Sequence, residues 1–145
     1  MPKELVRKSK ADEVWAEFLN GYWISNLGRW WSSKTDRILK QTKNTAGYYK
    51  IGFRIDGKYL NFITHIKVCE IHGDKNGNRI EPFPVTLRGV GLSIDHIDKN
   101  KRNNKQSNLE VVTHQENCLR KFRETMGSDE VLKVEDDPIF DEIFA

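Results

Sequence analysis

Asp56-Gly57 stands between the runs IGFRI and KYLNF, and a two-residue connection of this composition closes a β-hairpin. A type I′ turn needs positive φ at both central positions, which aspartate tolerates and glycine favours. Around this hairpin lies an aromatic-rich stretch: residues 15–62 hold 11 of the 15 aromatic side chains, interrupted by the turn signals NLG, TAG and DGK. That spacing predicts short antiparallel strands over YWIS, GRWWSS, RILKQ, YYKIGFRI and YLNFITH. Trp15, Trp23, Trp30 and Trp31 are expected in the core of so small a sheet rather than stacked on a ligand. The next segment, THIKVCEIHG, has apolar residues at Ile66, Cys69 and Ile71 behind Ile63, which suits a short helix. The stretch after it is loop-rich, with a turn at Asn76-Gly77 and breaks at Pro82 and Pro84.

Charge divides the chain. From Glu124 onward eight acids face one base, Lys133, giving −7, so residues 1–123 carry +10 of the overall +3. A small domain at +10 attracts polyanions, with nucleic acid as the leading candidate; a surface tuned for solubility is the bland alternative. Residues 1–14 read as a basic arm, mobile over its first ten residues. The start MPKELVRKSK lacks the apolar segment of a signal peptide, and no run is long enough to span a membrane, so a soluble intracellular protein is expected. Cys69 and Cys118 have no CxxC companion and are expected to be inert thiols, with no zinc site. In the acidic segment 124–145, DPIFDEIF could dock on the protein's own basic surface or on a protein partner, or the segment could be disordered.

The stretch IDHIDKNKRNNKQSNLEVVTHQEN, residues 94–117, carries the chemistry. LSIDHI and NLEVVT read as two strands. Thr113-x-x-Glu116 fits a capping box that starts a helix over HQENCLRKFRE. A helix packed across that hairpin could gather Asp95, His96 and Asn117. Asp95 and Asn117 offer oxygen, the donor that Mg²⁺ prefers, and histidine suits proton abstraction from water near neutral pH. Phosphodiester hydrolysis is one outcome of such a set. Asparagine-rich loops with a chance Asp-His pair are another, since asparagine populates turns. DKNGN further upstream has the beginning of a calcium loop, but Val85 replaces the acidic twelfth position and Arg79 the sixth-position glycine, so a turn explains it better.

The order Asp95-His96, Asp98, Asn100-Lys101, Asn103-Asn104, then Asn108-Leu109, Val112-Thr113 and Glu116-Asn117 resembles the HNH homing endonucleases of phages. WISNLGRWWS, ILKQ and GYYKIGF resemble the module that often precedes that nuclease. The likeness covers residues 15–123. It implies an α+β fold: a β-rich DNA-contacting region (15–62), a short helix and connecting loop (63–93), a ββα-metal nuclease core (94–123) and the acidic tail (124–145). It implies His96 as general base, Asp95 and Asn117 as ligands of Mg²⁺ or another divalent cation such as Mn²⁺, and Asn108 orienting His96 and bracing the loop. Double-stranded DNA is the implied partner. Arg29, Lys40, Lys43, Lys50, Arg54 and Lys58 recur on the predicted strands and turns, where a ribbon of strands can carry them to phosphates and base edges, and with Lys101 and Arg102 beside the histidine they are the expected DNA contacts. A phosphate contact by His65 is also hinted, against a core role; His72 and His114 are expected at the surface. A monomer acting in the cytoplasm of a phage-infected bacterium is the corresponding expectation, with nicking favoured by a single site per chain and double-strand cutting left open. Three departures stand out: Lys99 where the family has glycine, HIKVCEIHG in place of an arginine-bearing helix, and a longer stretch over 73–93. A DNA-binding module with an inactive site and an RNA-binding β-sheet protein are the alternatives.

Overall fold

The computed structural model describes residues 1–81 and 87–126. The apolar positions predicted to dock within the acidic tail lie outside them, as do Pro82 and Pro84. The described residues form an α+β fold of three small antiparallel sheets and three helices. The first sheet is a meander of β1 (Trp15–Leu19), β2 (Tyr22–Ser25), β3 (Trp30–Ser32) and β4 (Arg37–Ile38). The second joins β5 (Thr42–Lys43), β6 (Tyr49–Ile55) and β7 (Lys58–Ile63) and runs directly into α2 (Thr64–Ile71). The third pairs β8 (Leu92–His96) with β9 (Leu109–Thr113), and α3 (His114–Met126) follows.

The hairpin forms where its turn chemistry places it. Asp56 and Gly57 have φ of 51° and 78°, and Ile55 pairs with Lys58. RILKQ, by contrast, is not one strand. Its pairing ends at Ile38, and the backbone N–H of Leu39 donates to Trp30 O before the chain leaves for the second sheet. Gln41 fixes that crossing: its amide Nε2 donates to Gly28 O at 2.8 Å while Oε1 accepts the Thr64 hydroxyl. WAEFL, not expected as a strand, adds β1 at the edge.

The amino-terminal arm also differs from expectation. Residues Lys3–Lys8 form a helix, α1, because Leu5 has somewhere to go: it is fully buried against Trp15 and Trp31. Ser9 Oγ accepts the Trp15 indole N–H at 2.9 Å and donates to Leu5 O at 2.7 Å. Arg29 belongs to the same support. Its guanidinium forms a forked pair with Glu13, donates to Lys8 O and lies over the Trp15 ring. Nε and Nη2 of Arg29, a residue expected to contact DNA, are thus engaged within the fold.

One core unites the sheets. Ile24 and Trp30 from the first, Ile51 and Phe53 from the second, Val68 and Cys69 from α2, and Ile94 and Leu109 from the third pack together. The β8–β9 hairpin is thus anchored on the aromatic region rather than standing apart from it. Trp30, wholly buried, donates its indole N–H to Thr64 Oγ1 at 3.1 Å, so its one polar atom is satisfied. Both cysteines are free and buried. DKNGN is a loop with a structural purpose. Buried Asp74 accepts the backbone N–H groups of Asn76, Asn78 and Val111 at 2.8–2.9 Å, tying this turn to β9. Burial works against its charge, but those three donors outweigh burial and hold its carboxyl below the usual range.

Candidate active site

Alternation along β8 divides its side chains between two faces. Ser93 and Asp95 face α3; Ile94 and His96 turn toward the shared core. Thr113 starts α3 by accepting the Glu116 backbone N–H on its hydroxyl at 3.1 Å. The reciprocal half of the expected capping box is absent, because the Glu116 carboxylate is drawn forward to Arg120 and Arg123. One turn into α3, Asn117 donates its amide N–H to Ser93 Oγ at 3.0 Å. That bond fixes the amide plane and leaves Oδ1 buried with no hydrogen-bond partner.

Asp95 is gripped by the same helix. Arg120 donates to Asp95 Oδ2 at 2.9 Å, to Glu110 Oε1 at 2.6 Å and to Glu116 Oε1 at 3.2 Å. Asp95 and Glu110 are directly opposed on β8 and β9, so one guanidinium answers two neighbouring carboxylates. Lys75 pairs with Glu110 at 2.7 Å, and together with Arg120 it holds the Glu110 carboxyl below its ordinary range.

His96 is buried, with Nε2 2.8 Å from Asn104 Oδ1. An amide oxygen only accepts, so Nε2 carries the hydrogen and Nδ1 keeps the lone pair. Tyr48 stacks on the imidazole at 5.7 Å between centroids, and His65 meets it edge-on at 5.0 Å. Burial pushes the His96 pKa down, more than Asn104, Asp98 and Asp95 raise it, so the ring is neutral at pH 7. His65 is driven further, to about 3, by burial and by the adjacent His96. It sits buried within this aromatic cluster rather than at a phosphate-accessible surface.

Asn108 does not reach the histidine. Its side chain accepts the Asp98 N–H and donates to Asp98 Oδ1 and Asn103 O, all within 3.0 Å. It braces the loop, and Asn104 on that loop bonds the imidazole directly, so Asn108 bears on His96 through the loop. The aromatic region supports the loop from below. Gln106 N donates to Asn26 O at 2.7 Å, and a Cβ at Gly28 would stand 2.8 Å from the Asn104 Cβ. Only glycine lets the β2–β3 turn close on Asn104.

Asp95, His96 and Asn117 open onto one pocket of about 190 Å³, with Tyr48 on its wall. Lys99, Lys101 and Lys121 also line it. Lys101 donates to Ala46 O at 2.9 Å and lies over the Tyr48 ring. Arg102 is exposed nearby. Lys40, in the connection before β5, shares a groove with Lys50, Arg54 and exposed Tyr59 of the second sheet, while Lys43 and Lys58 are exposed outside it. His72 is not a simple surface residue, since its ring bonds Ile24 O at 3.1 Å. His114 is half-buried beside Cys118. Ser93, Asn104, Tyr48 and Arg120 were not anticipated at the site. Asn104 alone had a sequence signal, as part of the asparagine pair that follows the histidine.

A hairpin and helix thus present an aspartate, a neutral histidine and an orphaned amide oxygen to one pocket in a ββα arrangement. Residues 89–119 match the family model described as HNH endonuclease, and the chain is related to the HNH homing endonucleases of phages. It is 33% identical over 100 residues to the DNA endonuclease I-HmuI of Bacillus phage SP01, covering 66% of this chain and 48% of that one. It is 28% identical over 99 residues to the H-N-H endonuclease F-TflII of Escherichia phage T5, covering 68% and 46%. A solved structure of I-HmuI, described as DNA binding and cleavage by the HNH homing endonuclease, superimposes with a TM-score of 0.60 at 29% identity, covering 83% of this chain and 65% of that one. The chain spans about half the length of these curated relatives. No helix among the described residues is long and apolar enough to cross a membrane.

Proposed function

We propose that this chain is a divalent-metal-dependent endonuclease that hydrolyses phosphodiester bonds in double-stranded DNA, with Mg²⁺ or Mn²⁺ as the metal. The observation that carries the reading is Asn117 Oδ1: a buried acceptor, held in place by Ser93, with no partner of its own and in the same pocket as the Asp95 carboxylate. A buried polar atom without a partner is costly, and a cation resolves it. Two oxygen donors fit a hard cation that keeps its remaining positions for water and phosphate oxygen. HNH nucleases in general use divalent metals.

Asp95 and Asn117 would hold the metal, which when bound supplies positive charge to the scissile phosphate and the leaving 3′-oxygen. His96 Nδ1 would take a proton from water as the water oxygen attacks phosphorus in line. The P–O3′ bond breaks, leaving a 5′-phosphate and a 3′-hydroxyl whose proton comes from solvent. Asn104 keeps the reactive nitrogen unprotonated by binding the opposite Nε2–H. Tyr48 and His65 exclude water from the far side of the ring. Asn108 acts on the site through the loop.

Lys40, Lys50 and Arg54 in their groove, with Lys43 and Lys58, form the strand surface for duplex DNA, and Lys101 and Arg102 flank the cutting site. A sheet bearing such side chains can lie in a groove and reach phosphates and base edges. One site per chain supports nicking by a monomer, and the phage relatives support action in the bacterial cytoplasm. The test is incubation of supercoiled plasmid with the protein and Mg²⁺, with and without a chelator. Relaxed or linear product that the chelator abolishes is expected; intact plasmid across a range of sequences and metals refutes catalysis and leaves a binding module.

A further inference from the structure

Four non-glycine residues among those described have positive φ: Asp12, Asp36, Asp56 and Lys99. Aspartate tolerates this region because its short polar side chain bonds locally, whereas lysine has no such compensation. Lys99, at φ 66°, ends the turn after His96, donating its backbone N–H to His96 O at 2.9 Å. Glycine or asparagine would occupy the position more easily, so the lysine side chain needs a reason. Its ammonium pairs with Glu124 on α3, but the two side chains are 57% and 41% exposed, and exposed pairs contribute little to stability. What distinguishes Lys99 is its place. Both Lys99 and Glu124 line the pocket that holds Asp95, His96 and Asn117.

We propose that Lys99 is a DNA-phosphate contact at the mouth of the active-site pocket, held ready in the free protein by Glu124. A phosphate oxygen replaces the Glu124 carboxylate as its anionic partner when duplex enters, so the ion pair marks where the backbone of the substrate will lie. The strained residue lines the pocket, and strain kept at such a place fits a functional constraint. The proposal rests on the nuclease reading for the identity of the pocket, but its test does not require cleavage.

Binding of a mixed-sequence 20-base-pair duplex is measured without metal over a range of salt, for the parent, Lys99→Asn, Lys99→Gly and Lys99→Arg. One lost phosphate contact makes the log–log salt slope shallower by about 0.9. Lys99→Asn and Lys99→Gly should both show that change with thermal midpoints at or above the parent's, and Lys99→Arg should keep the parent slope. Glu124→Gln should tighten binding several-fold at low salt in the parent and not in the Lys99→Asn background. A parent-like slope in Lys99→Asn overturns the proposal, as does a lowered midpoint in Lys99→Gly, which would make the lysine structural. Failure of the nuclease reading would appear separately, as a parent protein that binds duplex but leaves plasmid uncut with Mg²⁺.

Discussion

Replacing Arg120 with methionine isolates the support of Asp95. The substitution keeps the bulk of the aliphatic stem and removes donors to three carboxylates, at 2.9 Å to Asp95, 2.6 Å to Glu110 and 3.2 Å to Glu116. Asp95 and Glu110 are then left opposed across the β8–β9 ladder without their shared cation. The side chains of Arg120, Asp95 and Glu110 are 31%, 23% and 15% exposed, between the surface and buried limits. Breaking a buried pair costs about 3–5 kcal/mol, and a surface pair is worth about 0–1 kcal/mol. Glu110 keeps Lys75 at 2.7 Å, which offsets part of the loss. The expected destabilisation is therefore about 2 kcal/mol, or about 4–8 °C in thermal midpoint for a chain of this size. Urea unfolding at neutral pH and low salt, without metal, reads it. Added Mg²⁺ should recover more stability in Arg120→Met than in the parent, because a cation at Asp95 then answers the exposed carboxylate. A loss under about 0.5 kcal/mol, or one undiminished in a Glu110→Gln background, would refute the coupling, since neighbouring charges do not behave additively.

Asn104→Ala should leave DNA binding near the parent level and lower cleavage by roughly tenfold to a hundredfold, within the range that a mispositioned general base forfeits. Unchanged cleavage would show that the Nε2 contact is not what orients His96. His65, held at about 3 by burial and His96, refuses a proton that the unfolded chain takes up below about 6.5. Its contribution is full above that value and declines toward pH 3 at roughly 1.4 kcal/mol per pH unit, so His65→Phe should flatten the stability–pH curve there by about one proton. Identical slopes in urea titrations would contradict it. Lys50→Gln with Arg54→Gln should make the salt slope of duplex binding shallower by about 1.8, two phosphates' worth; a parent-like slope would move the DNA surface elsewhere.

Local chemistry made much of the fold legible. Asp56-Gly57 dictated its own turn, the α2 segment carried a helical pattern, and Thr113 announced the start of α3. The convergence of Asp95, His96 and Asn117 followed from packing a helix on a hairpin. What stayed hidden depends on partners far along the chain. Leu5 looks like one apolar residue in a basic arm until Trp15 and Trp31 are placed beside it. Arg29 looks free until Glu13 is found against it. Asn104 and Asn108 are equivalent by residue type. They are separated only because Asn104 is pressed against the Gly28 turn beside the imidazole, while Asn108 folds back onto Asp98. Tyr48 reaches the site from the connection before β6, a contact that no local pattern encodes.

The central claim is that His96 supplies the base beside a cation held by Asp95 and Asn117. Single-turnover cleavage of end-labelled duplex by His96→Ala, at saturating Mg²⁺ and DNA, tests it most directly, with Mn²⁺ and duplex binding measured on the same preparation. The account predicts that both binding affinities stay within about twofold, while the cleavage rate falls by at least about a hundredfold. Cleavage at the parent rate by a folded, DNA-bound His96→Ala protein would contradict it.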